Sequence, residues 1–315
     1  MKIITLNLKR WKGIKVTFTI ILLIVLQLIL PAIFIFTLLL GKFKGKIDWV
    51  LQALLFTVYI SWVFFAGSWD LTIYYFRFFW PLLLIVALYI SWRRIKLEPS
   101  TKSYTRKEKV GFAFYILLAS IFAFYHVQIF PGYSTKDKTI ELEFPFESGT
   151  YYVGQGGSSA HINHHHTHPE QKYALDIVQL NKLGVRAAGI YPEDLERYII
   201  YGAKLVSPCS GEVIESRSDM PDLNPPESNP ENPEGNYVVI KCEQEKVNVL
   251  IAHMQEDSLT VETGDQIKTG EAIGLVGNSG NTSEPHLHIH AEKNGQGVPI
   301  EFDGRFPVRN SLIWK

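Results

Sequence analysis

Cysteine is scarce in this 315-residue chain, which has only Cys209 and Cys242. Two cysteines exclude a disulfide-rich scaffold and a cysteine-based zinc module. The sequence also lacks a His-Glu-x-x-His motif, a Gly-x-Ser-x-Gly elbow and a Walker phosphate loop. Their absence argues against a thermolysin-like protease, a serine hydrolase of the α/β type and a P-loop nucleotidase.

Net charge is absent from the whole chain but not from its halves. The 31 basic and 31 acidic residues cancel overall, yet residues 1–130 hold 16 basic and 4 acidic side chains, and residues 131–315 hold 15 and 27. The chain therefore joins two regions of opposite charge, near +12 and −12. An acidic C-terminal half would repel phosphate, so we expect no nucleic-acid partner.

Four stretches of the basic half are almost free of charge. They cover residues 16–40, 49–67, 71–92 and 110–130, of which the third contains Arg77. About 20 apolar residues cross a bilayer as a helix, and Arg77 can reach the headgroups from the third stretch. We therefore predict an α-helical transmembrane region over residues 1–130, with four helices or, if one stretch does not span, three.

Basic residues in the loops set the expected orientation. Five precede the first stretch, three lie in the first loop, none in the second and seven in the third. The first and third loops together hold ten basic residues, against five in the N-terminal segment, which predicts that these loops are cytoplasmic. The C-terminal half then lies on the extracellular or periplasmic side of a bacterial cell membrane, as a multi-pass protein.

The acidic half is dominated by predicted strands and turns. Residues 131–148 indicate a polar, extended linker, and residues 149–315 a mainly antiparallel β-sheet domain. Five prolines and five acidic residues favour a surface loop at 217–235. One short helix is predicted at 192–197. Strands are predicted at residues 172–179, 198–206, 211–216, 236–242, 246–252 and 286–292.

Histidines are concentrated in the acidic half, which holds nine of the ten. His286, His288 and His290 alternate with Leu287 and Ile289. Since successive strand residues face opposite sides, the three imidazoles project from one face and the aliphatic side chains from the other. Three imidazoles on one face favour a metal site.

Two further features carry similar chemistry. A histidine-rich loop over residues 161–168 precedes an apolar strand in which Asp176 stands between Leu175 and Ile177. A carboxylate at that position is costly to bury without a cation beside it. His253 ends another apolar strand, a position that a satisfied core histidine also occupies.

Together these segments resemble the M23 zinc metallopeptidases, the lysostaphin/LytM-type peptidoglycan endopeptidases. The resemblance covers about 150–303. It depends on the Asp176 strand, Ser207-Pro208-Cys209-Ser210-Gly211-Glu212-Val213, Ala252-His253, Thr263 to Gly270, Gly277-Asn278-Ser279-Gly280 and His286-Leu287-His288.

The resemblance implies a role for each of four residues. Asp176 and His288 match zinc ligands of the family, while His253 and His286 match its two catalytic histidines. Zinc held by three protein ligands would activate water for attack on a peptide bond.

One departure concerns the first ligand. The family places a histidine four residues before the aspartate, where this chain has Lys172. The resemblance to a subgroup with an Asn-x-His motif points to His165, and leaves His164 and His166 open. His290 stands where the family often has an acidic residue and is expected to lie behind the ligands.

These features predict a membrane-anchored zinc endopeptidase that cleaves peptidoglycan cross-bridges or stem peptides. The alternatives are a peptidase acting on an exported protein and a degenerate module that binds cell wall or activates another hydrolase. A lipoyl-type carrier is disfavoured because no lysine stands at a predicted hairpin tip. The expected partners are a peptidoglycan peptide and the lipid bilayer; the sequence leaves the oligomeric state undetermined.

The two cysteines flank a pair of predicted strands. If residues 211–216 and 236–242 pair antiparallel, Cys209 approaches Cys242 to within bridging range. Such a bridge would stabilise the fold by roughly 3 kcal/mol. The sequence leaves open whether they are bonded or are two separately buried thiols.

Overall fold

The protein is described by a computed structural model covering residues 18–96 and 103–315. The basic N-terminal segment, the first two residues of the first apolar stretch and Lys102 lie outside the described residues. The helices form one compact unit. Pro131–Lys315, joined by Asp70–Ile73, form the other.

Within residues 18–96 and 103–315, four helices are each long and apolar enough to cross a membrane. They are α1 (Phe18–Leu40), α2 (Lys46–Ala66), α3 (Phe76–Lys96) and α4 (Arg106–Ile129). The third begins at Phe76, five residues later than predicted. Arg77 does not reach outward: it is buried, with its guanidinium 4.3 Å from the centre of the Phe64 ring.

Helix α1 contains a proline, and its backbone adapts locally. Pro31 has no N–H to donate, and the turn Val25–Ile29 widens to a π-helix just before it. The hydroxyl of Tyr59 on α2 donates to the Leu26 carbonyl oxygen at 2.7 Å. The helix therefore continues through Pro31 by way of a widened turn, and the Leu26 carbonyl of that turn accepts a hydrogen bond from a neighbouring helix.

The second unit is a β-domain, confirming the predicted fold class. Its strands are β1 (Ile140–Glu141), β2 (Thr150–Gln155), β3 (Leu175–Leu180), β4 (Lys204–Val206), β5 (Gly211–Arg217), β6 (Asn236–Cys242), β7 (Val247–Met254), β8 (Gln266–Ile267), β9 (Ala272–Leu275), β10 (Leu287–Lys293), β11 (Gln296–Val298), β12 (Ile300–Glu301) and β13 (Leu312–Trp314). Nine of them form the main sheet, in the order β13-β2-β3-β10-β7-β6-β5-β8, with β11 also pairing β10, and all these pairs are antiparallel. Two small sheets, β1-β12 and β4-β9, complete the domain.

Several local predictions need correction. The predicted linker, residues 131–148, is partly domain: β1 pairs with β12, and Leu142, Phe144 and Phe146 are buried in the core. Apolar and acidic residues alternate there, from Ile140 to Phe144, which is a strand-like pattern but a short one. The predicted strand 198–206 is reduced to β4, and the predicted helix 192–197 to a single 3-10 turn. Residues 218–235 form the expected loop.

Strands β5 and β6 bring the cysteines together. The two strands pair antiparallel, with Gly211 opposite Cys242 and Ser216 opposite Val238, and a bulge lies between Val213 and Glu215. Cys209 and Cys242 are disulfide-bonded, with their Cα atoms 5.7 Å apart. The question left open by the sequence is answered in favour of a bridge.

Candidate metal centre

The centre is built on three adjacent strands. His288 on β10 lies directly opposite Asp176 on β3 and, on its other side, opposite Ala252 on β7. Residues paired in this way project from the same face of a sheet. Leu287 and Ile289 lie in the hydrophobic core, so the alternation predicted for β10 is observed.

The Asp176 carboxylate is the point where the imidazoles converge. His165 Nε2 lies 3.0 and 2.9 Å from its two oxygens, and His288 Nδ1 lies 2.9 Å from Oδ1. His286 Nε2 lies 3.5 Å from the same Oδ1. Three imidazole nitrogens thus lie within 3.5 Å of one carboxylate, an arrangement that can hold a metal ion.

Asn163 places His165 in this group. The Asn163 side chain is fully buried, and its amide donates to the carbonyl oxygens of Gly157 and Ala174, at 3.1 and 3.0 Å. Its Oδ1 accepts the His165 N–H at 3.1 Å and caps a short 3-10 turn. The histidine loop is therefore fastened to the residue that precedes β3.

Lys172, at the position where the resemblance would place a ligand, contacts a different group. Its Nζ donates to Asp137 Oδ2 at 3.1 Å. Of the two alternatives to His165, His164 has its ring beside that of His165, tilted by 36° and with centroids 3.9 Å apart. His166 instead lies against Tyr173, with ring centroids 6.4 Å apart.

His253 reaches the site through an unusual backbone conformation. Ala252 is the partner of His288, so simple alternation would turn His253 to the opposite face, with Ile251. His253 has φ +60°, a left-handed conformation that is rare for residues other than glycine. Its ring lies 5.0 Å from that of His286 and 5.7 Å from that of His288. The left-handed backbone at His253 therefore directs its imidazole toward His286 and His288.

Backbone carbonyls fix the tautomers of both predicted catalytic histidines. His253 Nδ1 lies 2.9 Å from the Ser279 carbonyl oxygen, and His286 Nδ1 lies 2.8 Å from that of Glu284. A carbonyl oxygen only accepts, so each Nδ1 carries the hydrogen. In the neutral imidazole the Nε2 lone pair is then available.

Residues 198–300 match the sequence profile of peptidase family M23. The β-domain is a peptidase M23 domain. The matched segment contains His253, His286 and His288, while His165 and Asp176 precede it. The M23 domain thus obtains part of its candidate centre from residues outside the matched segment.

Individual relatives of the M23 domain are distant. The chain is 26% identical over 134 residues to the cell division protein DipM of Caulobacter vibrioides, an alignment covering 42% of this chain and 19% of that protein. A putative peptidase M23 from Pseudomonas aeruginosa has a TM-score of 0.31 at 15% identity, with 57% of each chain covered. The deep-sea M23 metalloprotease pseudoalterin has a TM-score of 0.35 at 15% identity, with 56% of this chain and all of that one covered.

Burial and charge set the protonation states in the centre of the M23 domain. Burial opposes the Asp176 anion, but the His286 and His165 imidazoles outweigh it and hold the pKa of Asp176 well below its usual value. Burial also lowers the pKa of His253 and that of His288. The pKa of His286 is raised, because the Asp176 carboxylate outweighs the effect of burial. The centre therefore offers an anionic carboxylate at Asp176 and neutral imidazoles at His253 and His288, which are the forms that bind metal.

His290 lies behind the candidate ligands. Its Nδ1 is 3.1 Å from His288 Nε2, and burial lowers the pKa of His290 to about 3. A neutral His290 can accept the His288 Nε2–H, which leaves His288 Nδ1 bare toward Asp176.

The structure brings all five predicted site residues together: His165, Asp176, His253, His286 and His288. Their roles as ligands and catalysts stay predictions. A cleft of about 410 Å³ lies beside them, lined by His164, His165, His168, Gln171, Pro233, Glu234, Leu250, Ala252, His253, Asn281 and His288. Sequence reasoning missed Asn163 as the anchor of His165, although its place two residues before that histidine offered a signal.

Proposed function

We propose that this chain is a membrane-anchored zinc endopeptidase that hydrolyses peptide bonds of peptidoglycan. The observation that carries the proposal is the approach of His165 Nε2 and His288 Nδ1 to within 3.0 Å of the Asp176 carboxylate, with two further imidazoles beside them. The peptidase M23 profile supports the reaction class.

The donor set fits zinc. Two imidazole nitrogens and one carboxylate oxygen are ligands that zinc favours, and three protein ligands are typical of catalytic sites. His165, Asp176 and His288 would hold the ion. When bound, zinc would supply Lewis acidity toward water and the scissile carbonyl.

The remaining chemistry belongs to two histidines. His253 is neutral, with a bare Nε2, and can accept a proton from water as a general base. The pKa of His286 is raised, and in its protonated form this imidazole can donate a hydrogen bond from Nε2 to the oxygen on which negative charge develops. Their rings are 5.0 Å apart, so both can reach one peptide bond.

The membrane part of the proposal is supported by contacts within the helical unit. Arg94 at the end of α3 donates to the Leu38 and Gly41 carbonyl oxygens at the end of α1, at 3.1 and 3.0 Å. Lys44 forms a 2.8 Å ion pair with Glu108 at the start of α4. The first and third loops, with their basic residues, therefore lie at the same end of the helices. By the positive-inside rule that end is cytoplasmic, and the M23 domain is exported.

The disulfide supports the same orientation, because disulfides persist mainly in oxidising compartments. Labelling of intact cells with a membrane-impermeant maleimide tests it. Lys138→Cys, in an exposed position beyond α4, should react, and Lys42→Cys, exposed in the first loop, should react only after lysis. The reverse pattern would contradict the orientation.

Metal analysis and digestion of purified peptidoglycan test the activity. The detergent-solubilised chain should carry about one zinc and release peptide fragments detectable by mass spectrometry. His288→Ala and Asp176→Ala should lose the metal, because two remaining ligands rarely hold zinc. His286→Ala should keep the metal and lose hydrolysis.

His161→Ala provides a matched control in the same loop, and we expect it to keep both metal and activity. Full metal occupancy in both ligand variants would refute the site. Zinc bound without cleavage of peptidoglycan would instead favour the degenerate module or a peptidase acting on exported proteins.

A further inference from the structure

A buried ion pair lies beside the segment that leads to His286. Arg186 is only 2% exposed, and its Nε and Nη2 donate to the two carboxylate oxygens of Glu284, at 2.8 and 2.5 Å. Nη1 and Nη2 each also donate to the Ile190 carbonyl oxygen at 3.1 Å. Burying a charge pair has a large desolvation cost, so such a pair is weak evidence of added stability. Its position suggests another role.

The residues of the pair belong to two different loops. Arg186 lies in the loop between β3 and β4, and Glu284 in the segment that enters β10. The same two loops are joined a second time, because the Tyr191 hydroxyl donates to the Ser283 carbonyl oxygen. The loop after β3 thus holds the residues immediately before His286.

Glu284 links this attachment to the imidazole. Its side chain is held by Arg186, while its carbonyl oxygen accepts from His286 Nδ1 at 2.8 Å. Thr282 Oγ1 donates to the same carbonyl oxygen at 2.8 Å. Thr282 Oγ1 also lies 3.2 Å from His286 Nδ1, so the Glu284 carbonyl is the closer of the two groups that face this nitrogen. A shift of Glu284 would therefore move the closer acceptor for the Nδ1 hydrogen.

We propose that Arg186 and Glu284 are positioning residues for His286. The pair fixes the Glu284 carbonyl, which accepts from His286 Nδ1 and so orients the ring with Nε2 toward Asp176. When the imidazole is neutral, its hydrogen then lies on Nδ1. The catalytic consequence rests on the proposed function, whereas the tautomer does not. A displacement of about 1 Å at a reacting group can reduce a rate about 100-fold, so a rigid acceptor matters.

The test uses the 315-residue chain in detergent micelles, zinc-free and with ¹⁵N-labelled histidine. Nitrogen shifts at alkaline pH report which ring nitrogen of a neutral imidazole carries the hydrogen, and His286→Ala assigns the signals. Glu284→Gln keeps the size of the side chain and removes its charge. Arg186 then still has Asp70 of the same compact unit at 3.8 Å, which favours folding.

The wild type should show a single His286 tautomer, with the hydrogen on Nδ1, and Glu284→Gln should show a mixture of both. In separate samples that have not been stripped of metal, the zinc content of Glu284→Gln should equal that of the wild type, while its hydrolysis of purified peptidoglycan falls about 10- to 100-fold. Glu147→Gln is the control: it removes the carboxylate of the exposed Lys204–Glu147 pair, at 3.3 Å, and should alter neither signal nor rate.

A single Nδ1–H tautomer in folded Glu284→Gln would overturn the proposal, and Arg186→Met provides an independent check of the same point. If Arg186→Met does not fold, Glu284→Gln alone decides. If the wild type cleaves no peptidoglycan, the proposed function fails, but the nitrogen shifts still decide whether the pair positions His286.

Discussion

The side chain of Asn163 should contribute more to the stability of this domain than its small size suggests. It makes three hydrogen bonds with no exposure to solvent, two to carbonyl oxygens and one from the His165 N–H. At about 1 kcal/mol for each net bond, Asn163→Ala should lower the free energy of unfolding by about 3 kcal/mol. His165 would lose its anchor, so zinc affinity should fall as well.

The aspartate variant sharpens the test, since it keeps the shape of the side chain. Asn163→Asp can still accept from the His165 N–H, but it turns a carboxylate oxygen toward the carbonyl oxygens of Gly157 and Ala174. A buried charge facing two acceptors is strongly unfavourable. We therefore expect Asn163→Asp to be more destabilising than Asn163→Ala.

Pulse proteolysis in urea measures this on the detergent-solubilised chain, because it reports unfolding of the domain outside the micelle. Asn181→Ala is a matched control: Asn181 Oδ1 also accepts backbone N–H groups, from Leu183 and Val185 at 2.9 and 3.2 Å, but in an exposed turn. Its loss should be below about 1 kcal/mol. If Asn163→Asp is as stable as the wild type, the Asn163 amide is not a donor and the reasoning is wrong.

Three further results are expected. Thiol titration of the denatured, unreduced protein should find no free thiol, and two titratable thiols would exclude the bridge. Replacing Cys209 and Cys242 by alanine should lower the free energy of unfolding by about 3–4 kcal/mol, because the bridge joins residues 33 positions apart. His290→Ala should weaken zinc binding about 10- to 100-fold in a chelator competition, because His288 loses the acceptor that orients its ring. Unchanged zinc affinity would show that His290 is not needed. His165→Ala should lose more zinc than His168→Ala; equal small losses would place the first ligand elsewhere.

The features predictable from the sequence are those set by periodicity. Alternation along β10 indicated that His288 faces away from the core while Leu287 and Ile289 face into it, and both aliphatic residues are core residues. The apolar neighbours of Asp176 likewise indicated a strand with one costly carboxylate. Strand β6 was predicted at its observed bounds, because its β-branched run is bounded by a loop rich in proline.

The features that could not be predicted depend on contacts between distant residues. Alternation alone would turn His253 away from the site, and only the left-handed backbone at that residue reverses this. The ion pair of Arg186 with Glu284 joins residues 98 positions apart. No local pattern reveals such a partner, and the burial of Phe144 and Phe146 depends in the same way on packing with Tyr151.

The candidate ligands differ in how firmly the fold holds them. Asp176 and His288 are cross-strand partners in the middle of a sheet, so the backbone ladder fixes their separation. His165 lies 11 residues before Asp176, on a loop that the side chain of Asn163 ties down. Lys172, at the position where the M23 resemblance would place the first ligand, is instead paired with Asp137. Loss of the Asn163 anchor should therefore weaken zinc binding under conditions in which the sheet, with Asp176 and His288, is still folded.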